Sequence, residues 1–269
     1  MKLPRELSAA CAAALLGCLL APVASPATSG PTQADLNRAP GTGADSLFPD
    51  HDVYGQRYSA RKEINATTVG RIQQVCQCTF PEQARARTAP IADHGRLYVR
   101  TAHHTVALGG ATCKVIWAST WIPMGREPFN SQRSASKNDR KSLRGTSDGY
   151  LLALDPASGA VLWSHQIADA AKGYFLSTPP LIVDDLIISG PAGAEWATKG
   201  RVVAFRLSDG SPVWSFDTIP NVGAPGADTS GPDLTVLASA GGSLWTALSY
   251  DPEKQWIYVH AGGSSAGLL

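Results

Sequence analysis

The sequence predicts an all-β chain of repeated four-stranded sheets, a β-propeller, and three observations carry that prediction. An eleven-residue unit opens on Ala107, Ala153 and Ala204 and closes on Trp117, Trp163 and Trp214: ALGGATCKVIW, ALDPASGAVLW and AFRLSDGSPVW. The copies start 46 and 51 residues apart, a spacing that suits one propeller blade. Between them lie short alternating strands and turns, with Gly 26 and Pro 19 among 269 residues and little helix-period patterning after residue 80. A lone blade cannot bury both faces of its sheet, so neighbours must stack, and a Trp at a fixed place fills the space between them.

The chain then reads in order. Lys2 and Arg5 precede a small, apolar run over 7–23 and the exit Ala24-Ser25-Pro26-Ala27, which predicts a secretory signal over 1–27 and export to the periplasm. A membrane anchor is the rival reading, but Ala, Gly and Cys dilute the run and the small-residue exit favours cleavage. Leu15-Leu16-Gly17-Cys18 resembles a lipoprotein cleavage site, though the apolar residues after Cys18 argue against that anchor. Residues 28–48 are small, polar and turn-forming and predict a flexible leader; 49–269 is the repeat domain. Within it, 66–74 predicts a short helix or turn capped by Thr67 or Thr68, and 75–80 a strand.

The first blade opens at Ala89-Pro90-Ile91, turns at Asp93-His94-Gly95 and runs through RLYVR into the first Ala-to-Trp unit. The irregular stretch 119–143 is either a loop reaching over a binding face or a solvated insertion. The second blade holds the best-kept copy, with a turn at Ser147-Asp148-Gly149, a strand over 150–154, a turn over 155–159 and a strand ending on Trp163. The third has strands over 181–183, 186–189 and 201–205, and a fourth begins near Leu234 and includes 245–250 and 256–259.

A formal net charge of +1 with 17% charged residues makes no long-range electrostatic case for nucleic acid or a membrane surface. Of five cysteines, Cys11 and Cys18 would leave with the signal. Cys76, Cys78 and Cys113 then allow one internal disulfide in an oxidising compartment, and residue spacing does not choose between Cys76 and Cys78 as the partner of Cys113. No CxxC pair with a His partner suggests zinc, and no CxxCH suggests covalent haem.

The Ala-x-Asp-x-x-x-Gly-x-x-x-Trp unit, whole at Ala153, Asp155, Gly159 and Trp163, resembles the tryptophan-docking motif of quinoprotein alcohol dehydrogenases. The segments GQRYSARKEINATTVGRI, RGTSDGYLLALDPASG and STPPLIVDDLIISGPAGAEWATKG resemble the N-terminal half of that family. The resemblance implies an incomplete ring of about three to four blades out of eight. It also implies pyrroloquinoline quinone (PQQ) with calcium or a related cation, a small alcohol substrate, and an electron acceptor. By position, Gly193-Ala194-Glu195 matches the turn whose Glu binds the metal, and Thr178 a Thr that bonds a PQQ carboxylate. Arg133 falls where an Arg reaches the quinone oxygens, and Trp245 where an indole stacks under the ring.

Four departures accompany the match. Gly263 stands where the family has a metal-ligand Asn, and the adjacent Cys pair is absent near Ser131. The docking Asp is replaced by Gly109 and Arg206 in the first and third units. The general-base Asp has no counterpart before Leu269, so no catalytic residue is assigned. These predict a truncated or degenerate copy that is inactive in turnover, or a chain whose ring a second chain completes. A non-catalytic propeller acting as a binding or envelope-assembly scaffold is the alternative function.

Overall fold

The computed structural model describes residues 30–38, 45–80, 85–86, 88–230 and 241–262. The expected signal, the start of the fourth blade near Leu234, and Gly263 lie outside those residues. A short strand β1 (Arg85–Ala86) precedes the first sheet, in which β2 (Ile91–Asp93), β3 (Arg96–Arg100), β4 (His104–Gly109) and β5 (Val115–Thr120) pair antiparallel in chain order. Next, β6 (Ser131–Gln132) pairs in parallel with β1. The second sheet follows as β7 (Ser136–Lys137), β8 (Ser142–Gly145), β9 (Tyr150–Leu154) and β10 (Val161–Gln166), and the third as β11 (Leu181–Val183), β12 (Leu186–Ser189), β13 (Arg201–Arg206) and β14 (Pro212–Asp217). A two-stranded sheet, β15 (Ser249–Asp251) with β16 (Trp256–Tyr258), comes last. Three four-stranded antiparallel blades and the start of a fourth are therefore present among the described residues.

Period-two alternation builds the stack. In the third blade Ile187, Val203 and Phe205 pack with Leu143, Leu151 and Ala153 of the second. Their chain neighbours Ile188, Val202 and Ala204 point the other way and pack with Leu244, Leu248 and Tyr250. Successive side chains of a strand leave opposite faces, so one blade feeds two cores. Ala107, Ala153 and Ala204, the opening residues of the three units, are fully buried.

The closing tryptophans dock forward. A Cβ on Gly159, whose φ is +75°, would lie 2.4 Å from the Trp117 ring, and one on Gly210, also at +75°, would lie 2.8 Å from Trp163. Glycine is needed there twice over, for the left-handed turn and for the indole above it. Trp117 Nε1 also donates to the Pro156 carbonyl at 3.1 Å. The turn survives loss of its Asp because the backbone closes it: Cys113, Gly159 and Gly210 donate to the carbonyls of Gly109, Asp155 and Arg206 at 2.8, 2.8 and 2.9 Å.

Several expectations change. The flexible leader does not describe 30–38 or 45–48: helix α1 (Gln33–Arg38) buries Leu36, and Leu47 and Phe48 join it in the core between the third blade and the last sheet. Ser46 also bridges Ala92 beside β2. No polar-composition argument reveals this, because two or three apolar residues anchor the whole stretch. Residues 75–80 form no strand, and Val75 is 85% exposed. The turn before them is a 3-10 turn, Val69–Arg71, with Thr68 at its N-cap as expected; the Thr68 side chain makes no capping bond, and Asn65 Oδ1 accepts from the Thr67 and Thr68 amides. Cys113 is bonded to Cys76, and Cys78 is free.

Candidate functional site

The site begins at Asp148, in the turn before β9. Its buried carboxylate accepts from Trp121 Nε1 at 2.9 Å, the Met124 amide at 2.8 Å and the Thr146 hydroxyl at 2.5 Å. These bonds pull the stretch after β5 across the second blade, and a His103–Glu127 contact at 2.9 Å holds it further along. The stretch 119–143 is thus tied down at Trp121, Met124 and Glu127, and β6 and β7 lie in its second half. Phe129 arrives 5.4 Å from Phe175 and 6.2 Å from Trp196, making an aromatic cluster with the 5.8 Å Phe175–Trp196 pair.

Strand β6 then sets Arg133. Gln132 is buried and bonds the guanidinium of Arg100 at 2.5 Å and the Ser147 hydroxyl at 2.8 Å. Alternation sends the next side chain the opposite way. The Arg133 guanidinium sits 5.0 Å from the ring centroid of Trp245, a cation–π distance. Its backbone amide donates to the Ser177 carbonyl at 3.3 Å.

Glu195 comes from the far side. Gly193 adopts φ +128° and starts a 3-10 turn, Ala194–Trp196, with Glu195 exposed on it. A Cβ at Gly193 would lie 2.5 Å from the Gly173 carbonyl oxygen, so no other residue makes this turn without shifting a neighbour. The Ala194 amide donates to the buried Ser243 hydroxyl at 3.2 Å, and the Leu244 amide to the Pro191 carbonyl at 3.0 Å. Two bonds thus fasten the Glu195 turn to the segment carrying Trp245. Gly262 packs against the Trp245 indole, where a Cβ would meet Nε1 at 2.1 Å.

The result is a pocket of about 240 Å³ lined by Phe129, Arg133, Phe175, Ser177, Ala192, Glu195 and Trp245. Arg133, Glu195 and Trp245, separated by as many as 112 residues in the chain, share it. Gly193 and Ala194 shape the turn from behind. Thr178 is not on the wall: it is fully buried between Ser177 and Pro179, and its hydroxyl has no hydrogen-bond partner among the described residues. A second, larger and more polar cavity of about 940 Å³ lies among the innermost segments and is lined by Arg133, Ser134, Pro179, Thr246, Asp50 and His260, among others. Both cavities join a cation, a carboxylate and an aromatic side chain, and Arg133 borders both; the smaller one is taken as the candidate because Arg133, Glu195 and Trp245 meet there. Ser243, Phe129, Phe175 and Gly262 were not expected as site residues. Ser243 was readable in principle, since it stands two before Trp245 in an extended segment.

A planar aromatic tricarboxylate such as PQQ fits these groups. Trp245 is 42% exposed, the Arg133 guanidinium that now lies over its ring brings positive charge to the pocket, and Thr178 is a buried hydroxyl still lacking a partner among the described residues. A calcium ion fits less well, because hard cations take six to eight oxygens and Glu195 is the only carboxylate lining the pocket.

Comparison with known proteins agrees with this architecture. Residues 49–268 match the family described as the PQQ glucose/ethanol/alcohol dehydrogenase β-propeller domain, and the chain belongs to that family. It is 28% identical over 268 residues to the quinohemoprotein alcohol dehydrogenase ADH IIB of Pseudomonas putida, covering 93% of this chain and 38% of that one. It is 26% identical over 291 residues to the dehydrogenase subunit of the quinone alcohol dehydrogenase of Gluconobacter oxydans, again spanning 38% of the relative. The solved quinohemoprotein alcohol dehydrogenase ADHIIG of Pseudomonas putida superposes with a TM-score of 0.79 at 24% identity, over 88% of this chain and 37% of that one. The chain thus spans well under half the length of the relatives it matches, as a likeness to their N-terminal half implies.

Proposed function

We propose that this chain is the PQQ-binding portion of an exported alcohol dehydrogenase-like propeller, with Arg133, Trp245, Thr178 and the Gly193-Ala194-Glu195 turn as its cofactor residues. The observation that carries the reading is the convergence of Arg133, Glu195 and Trp245 on one pocket. When bound, PQQ supplies a quinone able to accept the electrons of an alcohol. The chain's own residues bind and orient it. Trp245 offers a flat face for the ring once the Arg133 guanidinium swings off it to meet an anionic edge, and the aromatic cluster around Phe129 keeps water from one side.

Glu195 is the one residue through which a calcium-type cation would be held, and no step is assigned to it here. The Cys76–Cys113 disulfide supports an oxidising compartment such as the periplasm, and no helix among the described residues is long and apolar enough to cross a membrane. A small alcohol and an electron acceptor are the partners this reading carries.

Titration of purified protein with PQQ, with and without Ca²⁺, tests it by quenching of tryptophan fluorescence. Micromolar uptake is expected, weakened about tenfold or more by Trp245→Ala or Arg133→Ala, a loss of about 1.4 kcal/mol each. No uptake at micromolar PQQ would refute the reading. Dye reduction with small alcohols is a separate measurement and reports turnover only.

A further inference from the structure

Residues 58–80 line neither of the two cavities, yet they carry a motif that the cofactor site does not use. Of the five asparagines, at 37, 65, 130, 138 and 221, Asn65 alone has a hydroxyl residue two positions on, in Asn65-Ala66-Thr67. With no proline between, that is the acceptor pattern for an N-linked glycan on an exported protein. The triplet by itself is common, so the fold around it decides.

That fold presents the motif outward. Glu63, Ile64, Asn65, Ala66 and Thr67 are all exposed. The Asn65 side chain closes a turn and touches no core cluster. Its Oδ1 accepts from the Thr67 amide and hydroxyl at 2.9 and 2.7 Å and from the Thr68 amide at 3.2 Å. Its Nδ2 donates to the Lys62 carbonyl at 2.9 Å. A side-chain amide nitrogen carries two hydrogens, and this bond uses one of them. Replacing the other by a sugar leaves every bond of the turn in place.

Two further features suit the modification. Glu63 sets a carboxylate two residues ahead of Asn65 on the same exposed turn, a charge by which a transferase can select this Asn. Around it Tyr58, Ile64, Val69 and Ile72 are exposed, an apolar face that a bulky, hydrated glycan shields.

We propose that Asn65 is an N-glycosylation site, read as Glu-x-Asn-x-Thr by an oligosaccharyltransferase after export. In the transfer, Nδ2 bonds to the anomeric carbon of an oligosaccharide carried on a polyprenyl pyrophosphate. The anomeric C–O bond breaks, the lipid pyrophosphate leaves with the electron pair, and Nδ2 gives up one proton to a base of the transferase. No oxidant or reductant takes part. The inference rests on export, which the Cys76–Cys113 disulfide supports, and not on the PQQ site.

The test treats the purified whole chain with a bacterial oligosaccharyltransferase and lipid-linked oligosaccharide, reads intact mass, and maps the product by peptide digestion. The expected result is one glycan per chain, on Asn65, absent from Asn65→Gln and Thr67→Ala and retained by Thr67→Ser. Glu63→Gln should slow transfer about tenfold or more, the loss of one charged contact. Circular dichroism checks that the variants fold. A folded chain that gains no mass overturns the inference, whatever a free peptide of residues 61–69 does. So does a mass gain that survives Asn65→Gln, and an unchanged rate with Glu63→Gln overturns the part given to Glu63. None of these outcomes bears on PQQ uptake.

Discussion

Asp155 shows what the one intact docking Asp contributes. Its carboxylate accepts from the Ala157 and Ser158 amides and the Ser158 hydroxyl at 2.9, 2.7 and 2.9 Å. The Ser158 bonds, then the Ala157 bond, hold its acid below the usual aspartate range. A depressed carboxyl stabilises the fold above its unfolded value of about 3.9 and loses that contribution as pH falls through the lower folded value. Replacing it by Asn should therefore cost about 1 kcal/mol or less at pH 7 and flatten the acid limb of stability, checked by urea midpoints at pH 7 and pH 3. Arg100 is the opposite case. It is fully buried, and burial first, then the charge of nearby Arg144, pushes its pKa down. Its fork is held by Gln132 Oε1 at 2.5 Å and the Gly145 carbonyl at 2.6 Å. Arg100→Lys loses that geometry and should destabilise by about 3 kcal/mol in denaturant titration. Because Gln132 is the neighbour of Arg133, the same change should also weaken PQQ uptake.

At the scale of elements, the turn glycines and the disulfide do different work. Gly159→Val forces a β-branched residue into the left-handed region and into the Trp117 ring, and about 3 kcal/mol or more of stability should be lost in thermal unfolding. Reduction of the Cys76–Cys113 bond acts locally. The segment around it exposes Tyr58, Ile64, Val69, Ile72 and Val75, so it has little core of its own to keep it in place. Limited proteolysis after reduction should cut within residues 57–80 and leave the three blades intact. Helix α1 contributes to the core instead: Leu36→Ala should cost about 2–4 kcal/mol, read from the same unfolding curves. The repeat and its turns were legible in sequence because Gly, Pro and period-two alternation are local signals. The burial of Leu36 was not, since it depends on Leu181 and Leu244 far along the chain.

For the whole molecule, the pocket stands on four stretches that only blade stacking brings together: 129–133, 175–177, 192–195 and 243–245. A ligand that binds only the folded arrangement stabilises it by mass action, about 2.7 kcal/mol at a hundredfold excess over Kd. PQQ should accordingly raise the melting temperature of the intact chain, and at the same concentration raise that of Trp245→Ala by about half as much or less.

The sequence by itself determined the blade repeat, the Ala-to-Trp register, the turns and the identity of Arg133, Glu195 and Trp245 as residues to watch. The repeat, register and turns follow from spacing and local chemistry, and the three site residues from the resemblance to quinoprotein alcohol dehydrogenases. Tertiary structure decided which cysteine pairs with Cys113, that 33–38 is helical and buried at Leu36, that 75–80 is no strand, and that Thr178 lies behind the pocket rather than on it. It also decided that Arg133 meets the Trp245 ring. Each depends on contacts between residues distant in the chain, and those form only when one blade's exposed face becomes the next blade's core.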